Sequence, residues 1–192
     1  MSQDWIENAS IRNCNVRNGD AAPNDYYATE PNAVELLLRE EKFCHESWEP
    51  ACGEGHMSEV LKAHGYDVYS TDLINRGYGD GFVDFFKIQY PINRDIITNP
   101  PYKFAKEFVE HALDIVTNGH KVAMFLKLTF LEGARRKELF DKYPPKKIYV
   151  FRNRVDCWKN GIKPEKASKA VCYAWFVWVK GFNGNPTIDW IN

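Results

Sequence analysis

Cysteine is scarce in this sequence and badly placed for either of its usual structural uses. The 192 residues contain five, Cys14, Cys44, Cys52, Cys157 and Cys172, an odd number with no C-x-x-C pair and no histidine ladder beside them. Neither a disulfide framework nor a metal site is expected. Long apolar runs are missing too: the longest, residues 122–126 and 174–179, fall far short of the ~20 residues a membrane-spanning helix needs. The polar opening Met1-Ser2-Gln3-Asp4 has no secretory-leader character, so a cytoplasmic protein without membrane contact is expected. The histidines, His45, His56, His64, His111 and His120, pair with no serine or cysteine nucleophile motif, which argues against a hydrolytic triad. No internal repeat occurs. With 44% hydrophobic and 15% aromatic residues the chain can bury one sizeable core. We expect one domain over residues 25–192, preceded by an irregular arm over 1–24 that mixes Asn, Arg, Asp and Gly without periodicity.

Overall charge is also nearly absent, at −1, but the signs separate along the chain. Residues 1–132 hold 12 Lys and Arg against 21 Asp and Glu, whereas residues 133–180 hold 13 against 4. The basic stretch, with Arg135, Arg136, Lys137, Lys142, Lys146, Lys147, Arg152 and Arg154, would suit a phosphate backbone; a solvated face paired with acids elsewhere is the other reading.

What is present is an alternation of strand and helix patterns. Thr29 as N-cap and Pro31 at the first turn predict a helix over 31–42. A short buried strand over 47–50 then enters a glycine turn, after which Met57, Val60 and Leu61 give a helix ended by Gly65. Strands follow over 66–71, 81–86 and 95–98. A helix carrying Phe104, Phe108, Ala112 and Ile115 leads to a strand over 121–127, a helix over 134–143, and strands over 147–151 and 170–179. The alternation predicts an α/β fold with a mainly parallel sheet covered on both faces, the last two strands closing one edge as a hairpin.

Two constellations carry chemistry. The apolar run Asp95-Ile96-Ile97-Thr98 ends in Asn99-Pro100-Pro101-Tyr102. A planar exocyclic amine is a poor nucleophile because its lone pair is delocalised. Asn99 offers a side-chain carbonyl to its protons, Pro100 a backbone carbonyl without a competing N–H, and Tyr102 an aromatic face. An ordinary proline-rich turn with Tyr102 in the core is the alternative. Upstream, Gly53 and Gly55 in Ala51-Cys52-Gly53-Glu54-Gly55 let a ligand approach the backbone. Ser58 stands where a G-x-G-x-x-G fingerprint needs its third glycine, which weakens a nicotinamide reading. Asp72, at the end of the second strand, is placed either to bind both ribose hydroxyls of an adenosine or to cap a turn.

Taken in order, Asp25-Tyr26-Tyr27-Ala28-Thr29-Glu30-Pro31, Glu49-Pro50-Ala51-Cys52-Gly53-Glu54-Gly55, Asp72, Asp84-Phe85 and Asn99-Pro100-Pro101-Tyr102 resemble the motifs of S-adenosylmethionine-dependent amino methyltransferases, especially compact, phage-like N6-adenine DNA methyltransferases. The resemblance implies a Rossmann-like seven-stranded sheet, mostly parallel with an antiparallel last strand, and S-adenosylmethionine as cofactor, with no metal. It implies that Tyr27 and Thr29 lie near the methionine end, that Glu49, Pro50, Ala51, Gly53 and Gly55 line the turn, and that Asp72 holds the ribose. Asp84 would accept from the adenine amine, with Phe85 as backbone donor or apolar wall. Asn99, Pro100, Pro101 and Tyr102 would form the target site, Asn99 also facing the cofactor, and Cys52 would be a small packing residue.

DNA is the implied partner, with a flipped base received by Tyr102 and Phe104 and contacts from Arg135, Arg136, Lys147, Arg152, Arg154, Trp158 and Lys159. The chain departs from sequence-specific members in having little room for a recognition region. Only residues 156–169, with Trp158, Lys159, Lys163 and Lys166, are available for base reading. Adenine in RNA, a protein glutamine amide, and a catalytically silent nucleic-acid-binding module therefore stay open.

Overall fold

The computed structural model describes residues 26–165 and 171–192. The arm expected over 1–24, with Asp25 and Lys166, lies outside the described residues.

Among the described residues ten strands form two sheets. Eight of them, β2 (Glu46–Glu49), β3 (Asp67–Asp72), β4 (Gly81–Phe82), β5 (Asp95–Thr98), β6 (Lys121–Lys127), β7 (Lys147–Phe151), β9 (Tyr173–Val179) and β10 (Thr187–Ile191), build one sheet in the order β10-β7-β9-β6-β5-β2-β3-β4. The remaining pair, β1 (Tyr27–Thr29) and β8 (Cys157–Lys159), is antiparallel. All seven expected strands are present, and β10 adds an eighth at the edge. Pairing is parallel throughout the main sheet except at β9, which runs antiparallel to β6 and to β7.

β9 therefore does not close an edge hairpin but sits between β6 and β7. Its sequence explains this. Tyr-Ala-Trp-Phe-Val-Trp-Val is buried on both faces, which only an interior strand permits, whereas β10 leaves Ile188 and Trp190 exposed and can take the edge.

Successive residues of the central strands feed two cores. Ile96, Val122, Met124, Leu126, Ala174, Phe176 and Trp178 join helix α3 (Ala105–Ile115) on one face. Ile97, Ala123, Phe125, Tyr173, Trp175 and Val177 join α1 (Pro31–Glu40) and α2 (His56–Ala63) on the other. The period-two alternation of buried residues thus places helices on both faces. Two buried indoles find carbonyl partners on the helices: Trp175 donates to Ala33 O at 2.8 Å in the first turn of α1, and Trp178 to Tyr143 O at 3.0 Å, just past the carboxyl end of α4 (Lys137–Lys142).

Local differences from the expected elements have identifiable causes. Thr29 is the last residue of β1, so Glu30 takes the N-cap position of α1, without a side-chain bond, and Pro31 opens the helix as expected. The third strand stops at Phe82 because Asp84 accepts the Phe86 N–H at 3.1 Å and starts a 3-10 turn, Phe85–Lys87. Among the described residues, no helix is long and apolar enough to cross a membrane.

Candidate active site

β2, β3, β5 and β6 are parallel neighbours, so the segments leaving their carboxyl ends meet on one rim of the sheet. After β2 the chain turns through Gly53 (φ +57°) and Gly55 (φ +85°), both left-handed. A Cβ on Gly53 would lie 2.8 Å from the Tyr26 ring, and one on Gly55 2.4 Å from the Tyr78 ring. Both positions therefore need glycine for backbone and for space. Asp72 organises the turn: its Oδ2 accepts the Gly53 N–H at 2.8 Å and its Oδ1 the Ile74 N–H at 2.9 Å. An ionised carboxylate has about four acceptor positions, so both oxygens can still accept a hydroxyl.

Beneath the turn, Glu49 is 2% exposed. Ser58 Oγ donates to its Oε2 and lies 2.7 Å from Ser70 Oγ. Burial pushes the Glu49 carboxyl up to about 8, against the lowering effect of the Ser58 bonds. Ser58, which replaces the fingerprint's third glycine, is thus the anchor of a buried carboxyl group. Cys52 is buried in the same turn, its thiol pushed up to about 12 by burial and by Glu49 and Asp72, which agrees with packing and not with a nucleophile.

The Asp84-Phe85 pair divides its roles. Asp84 caps the 3-10 turn, with the Lys87 ammonium 3.8 Å away. The Phe85 ring is 3% exposed, stacked on Phe108 at 4.8 Å and edge-on to Trp48 at 5.3 Å, so it belongs to the core. Only its backbone remains to face a ligand.

Asn99 follows β5. Its Nδ2 donates to Tyr27 O at 2.9 Å, and its Oδ1 is buried with no partner among the described residues. Thr29 Oγ1, on the same strand as Tyr27, is another buried oxygen with no partner among the described residues. Buried polar atoms are rarely left so unless something else binds them. Tyr102 is half-buried, its hydroxyl 3.3 Å from Cys157 Sγ and its ring tilted against Tyr27 and Tyr173 at 6.5 and 6.0 Å. Burial holds the Tyr102 phenol well above its ordinary range, and pushes the Cys157 thiol up to about 11. The Lys127 ammonium, at the carboxyl end of β6, lies over the Tyr102 ring at 5.0 Å. Pro100 is buried and Pro101 exposed.

The expected base-reading insert turns inward. Tyr27, Ala28 and Thr29 pair with Lys159, Trp158 and Cys157. Beyond β8, Asn160 N–H donates to Tyr26 O at 2.8 Å. A Cβ on Gly161 (φ +72°) would come within 2.5 Å of Glu54 Oε2 and Tyr26 Oη. The Trp158 ring meets His56 edge-on at 5.8 Å, with Lys163 over it at 5.7 Å. The insert thus covers the glycine turn and brings Cys157 onto Asn99 and Tyr102.

The basic residues do not form one patch. Arg152 and Arg154 are exposed just beyond the carboxyl end of β7, on the same rim as Asn99. Lys147 opens that strand at the opposite rim and pairs with Asp189 at 3.0 Å. Arg136 donates to Thr129 O and Glu132 O with its guanidinium over Phe130 at 4.9 Å, which holds the loop, while Arg135 is exposed beside it. Phe104 is half-buried against the α3 core, with Lys103 over its ring at 4.9 Å.

Cys157, Lys127, Tyr26 and Tyr78 were not singled out by sequence reasoning. The only available signals were the position of Lys127 at the end of a parallel strand and of Cys157 beside Trp158-Lys159.

No protein-family model and no curated protein matches the sequence. Solved structures do match the fold. A predicted O-methyltransferase from Agrobacterium tumefaciens is 12% identical over 83% of this chain and 85% of that one, with a TM-score of 0.58. A modification subunit assigned to a type I restriction enzyme from Vibrio vulnificus is 14% identical, with a TM-score of 0.57, over 86% of this chain but 47% of that one. A protein assigned as a class I S-adenosylmethionine-dependent methyltransferase from Listeria monocytogenes is 11% identical over 83% of this chain and 62% of that one, with a TM-score of 0.50. The chain has the Rossmann-like methyltransferase fold. At these identities the likeness concerns architecture, and chemistry must be argued from the rim itself.

Proposed function

We propose that the chain is an S-adenosylmethionine-dependent methyltransferase acting on an exocyclic amine, with N6 of adenine in DNA as the favoured acceptor. The observation that carries this reading is Asn99: the Tyr27 carbonyl holds its amide nitrogen and leaves Oδ1 buried, with no partner among the described residues, at the end of β5.

The residues present fit the cofactor. The cradle at Gly53 and Gly55 admits close approach, Asp72 keeps acceptor capacity for two ribose hydroxyls, and Asp84 offers a carboxylate to an adenine amine. Glu49 lies under the turn, where a cationic ligand would favour its ionised form. When bound, S-adenosylmethionine supplies a methyl group already activated by its sulfonium.

Asn99 Oδ1 and the Pro100 carbonyl accept the two protons of the target amine, drawing its lone pair out of conjugation as charge develops on nitrogen. Tyr102 offers a ring face, and Cys157 of β8 lies beside it. The preference for a nucleic acid rests on Arg152 and Arg154 on this rim, the Trp158-Lys159 strand beside it, and the shared fold of a restriction modification subunit.

The test is transfer of tritiated methyl from cofactor to pools of DNA, RNA and protein. Label in DNA that is recovered as N6-methyladenine is expected. Label in protein alone overturns the acceptor, and no label in any pool favours the silent binding module.

A further inference from the structure

Three side chains far apart in sequence meet at the opposite rim of the sheet. Asp95 opens β5, His120 precedes β6, and Cys44 lies in the connection from α1 to β2. His120 Nδ1 is 3.0 Å from Asp95 Oδ1 and 3.6 Å from Cys44 Sγ. One sulfur, one nitrogen and one carboxylate oxygen all lie within 4.8 Å of one another.

We propose that Cys44, Asp95 and His120 bind a divalent transition-metal cation of the zinc class, with water completing a tetrahedral shell. A catalytic relay would use both imidazole nitrogens, one toward the thiol and one toward the carboxylate. Here both groups converge on Nδ1, which makes the arrangement a point of coordination and not a relay. Ligand atoms about a tetrahedral zinc ion, bonded at about 2.0–2.3 Å, stand roughly 3.3–3.6 Å apart; the two separations from His120, 3.0 and 3.6 Å, lie close to that range, and the Cys44 sulfur and Asp95 oxygen, within 4.8 Å of each other, close by at most about 1 Å when the exposed Cys44 side chain rotates.

The donor set, thiolate, imidazole and carboxylate, suits zinc over calcium or magnesium. Asp95 is also held as a ligating carboxylate should be: its Oδ2 accepts the Cys44 N–H at 2.7 Å and its Oδ1 the Lys121 N–H at 2.8 Å. It is 2% exposed, while exposed Cys44 opens the cluster to solvent. The site is independent of the proposed methyl transfer, since Asp95 and Asn99 flank β5 at opposite ends, roughly 13 Å apart at the strand rise.

Titration of the full chain with Co2+, with Zn2+ as competitor, tests this. One equivalent of Co2+ should give a thiolate-to-cobalt charge-transfer band and tetrahedral d–d absorption, both displaced by Zn2+. Cys44→Ser should abolish the charge-transfer band. His120→Ala should weaken binding by more than the ~10–100-fold that even outer partners of a metal ligand are worth, while Cys172→Ser leaves it intact. A rise in the melting temperature of the unsubstituted chain with Zn2+ gives a readout that no folding defect can mimic. Absence of the band and of the melting shift, or their persistence in Cys44→Ser, overturns the site and leaves Asp95–His120 as a hydrogen-bonded pair.

Discussion

Asn99 and Asp72 lie on the same rim, yet their surroundings assign them different work. Asp72 is fixed by one backbone N–H of the glycine turn, Gly53, and one of its own loop, Ile74, so Asp72→Ala removes both an acceptor and the turn's organiser. Cofactor affinity should fall at least tenfold. Asn99→Ala should leave that affinity within a few-fold and lower kcat by about 10²–10³, the range for losing one positioned hydrogen-bonding group. Calorimetry beside single-turnover assays separates the two, and equal loss of binding would refute the division. Glu49 sets a pH dependence. Burial raises its carboxyl from 4.5 to about 8, so the folded state keeps a proton that the unfolded chain has already released. Its contribution to stability is full below about pH 4.5 and is lost as pH rises through about 8, at ~1.4 kcal/mol for each unit between the two values. Glu49→Gln should flatten that decline in denaturant titrations from pH 5 to 8; parallel curves for both proteins would show that Glu49 titrates normally.

At the scale of elements, the turn between β2 and α2 and the β1–β8 pair form the working parts. Gly55→Ala combines a left-handed backbone with a Cβ 2.4 Å from the Tyr78 ring, so a loss of roughly 2–3 kcal/mol is expected. Adding Tyr78→Ala should recover the steric part and leave about 1 kcal/mol of backbone strain; full recovery in thermal melts would mean the backbone conformation costs nothing. The parallel strands and principal helices were legible because each shows a period or a bounded apolar run long enough to read. β1 and β8 were not. Three residues carry too little pattern, and neither strand exists without the other, across a separation of about 130 positions.

For the whole molecule, the charge split along the sequence does not become one charged face. The fold sends Arg152 and Arg154 to the rim that holds Asn99 and Lys147 to the other. If DNA is the acceptor, Arg152→Ala and Arg154→Ala should each weaken binding and reduce the slope of log K against log salt by about 0.9. Lys147→Ala should change neither, and equal effects from all three would imply contacts around the whole protein.

By itself the sequence determined the order of the principal helices and of seven strands, the glycine turn, and the carboxamide closing β5, because these rest on local periodicity and on residues adjacent in the chain. Tertiary structure alone decided that β9 enters the sheet between β6 and β7, that Cys157 comes to rest on Asn99 and Tyr102, and that Cys44, Asp95 and His120 converge. The physical reason is the same each time. Such contacts join segments tens of residues apart, and the requirement to bury both faces of a parallel sheet, not any local preference, brings those segments together.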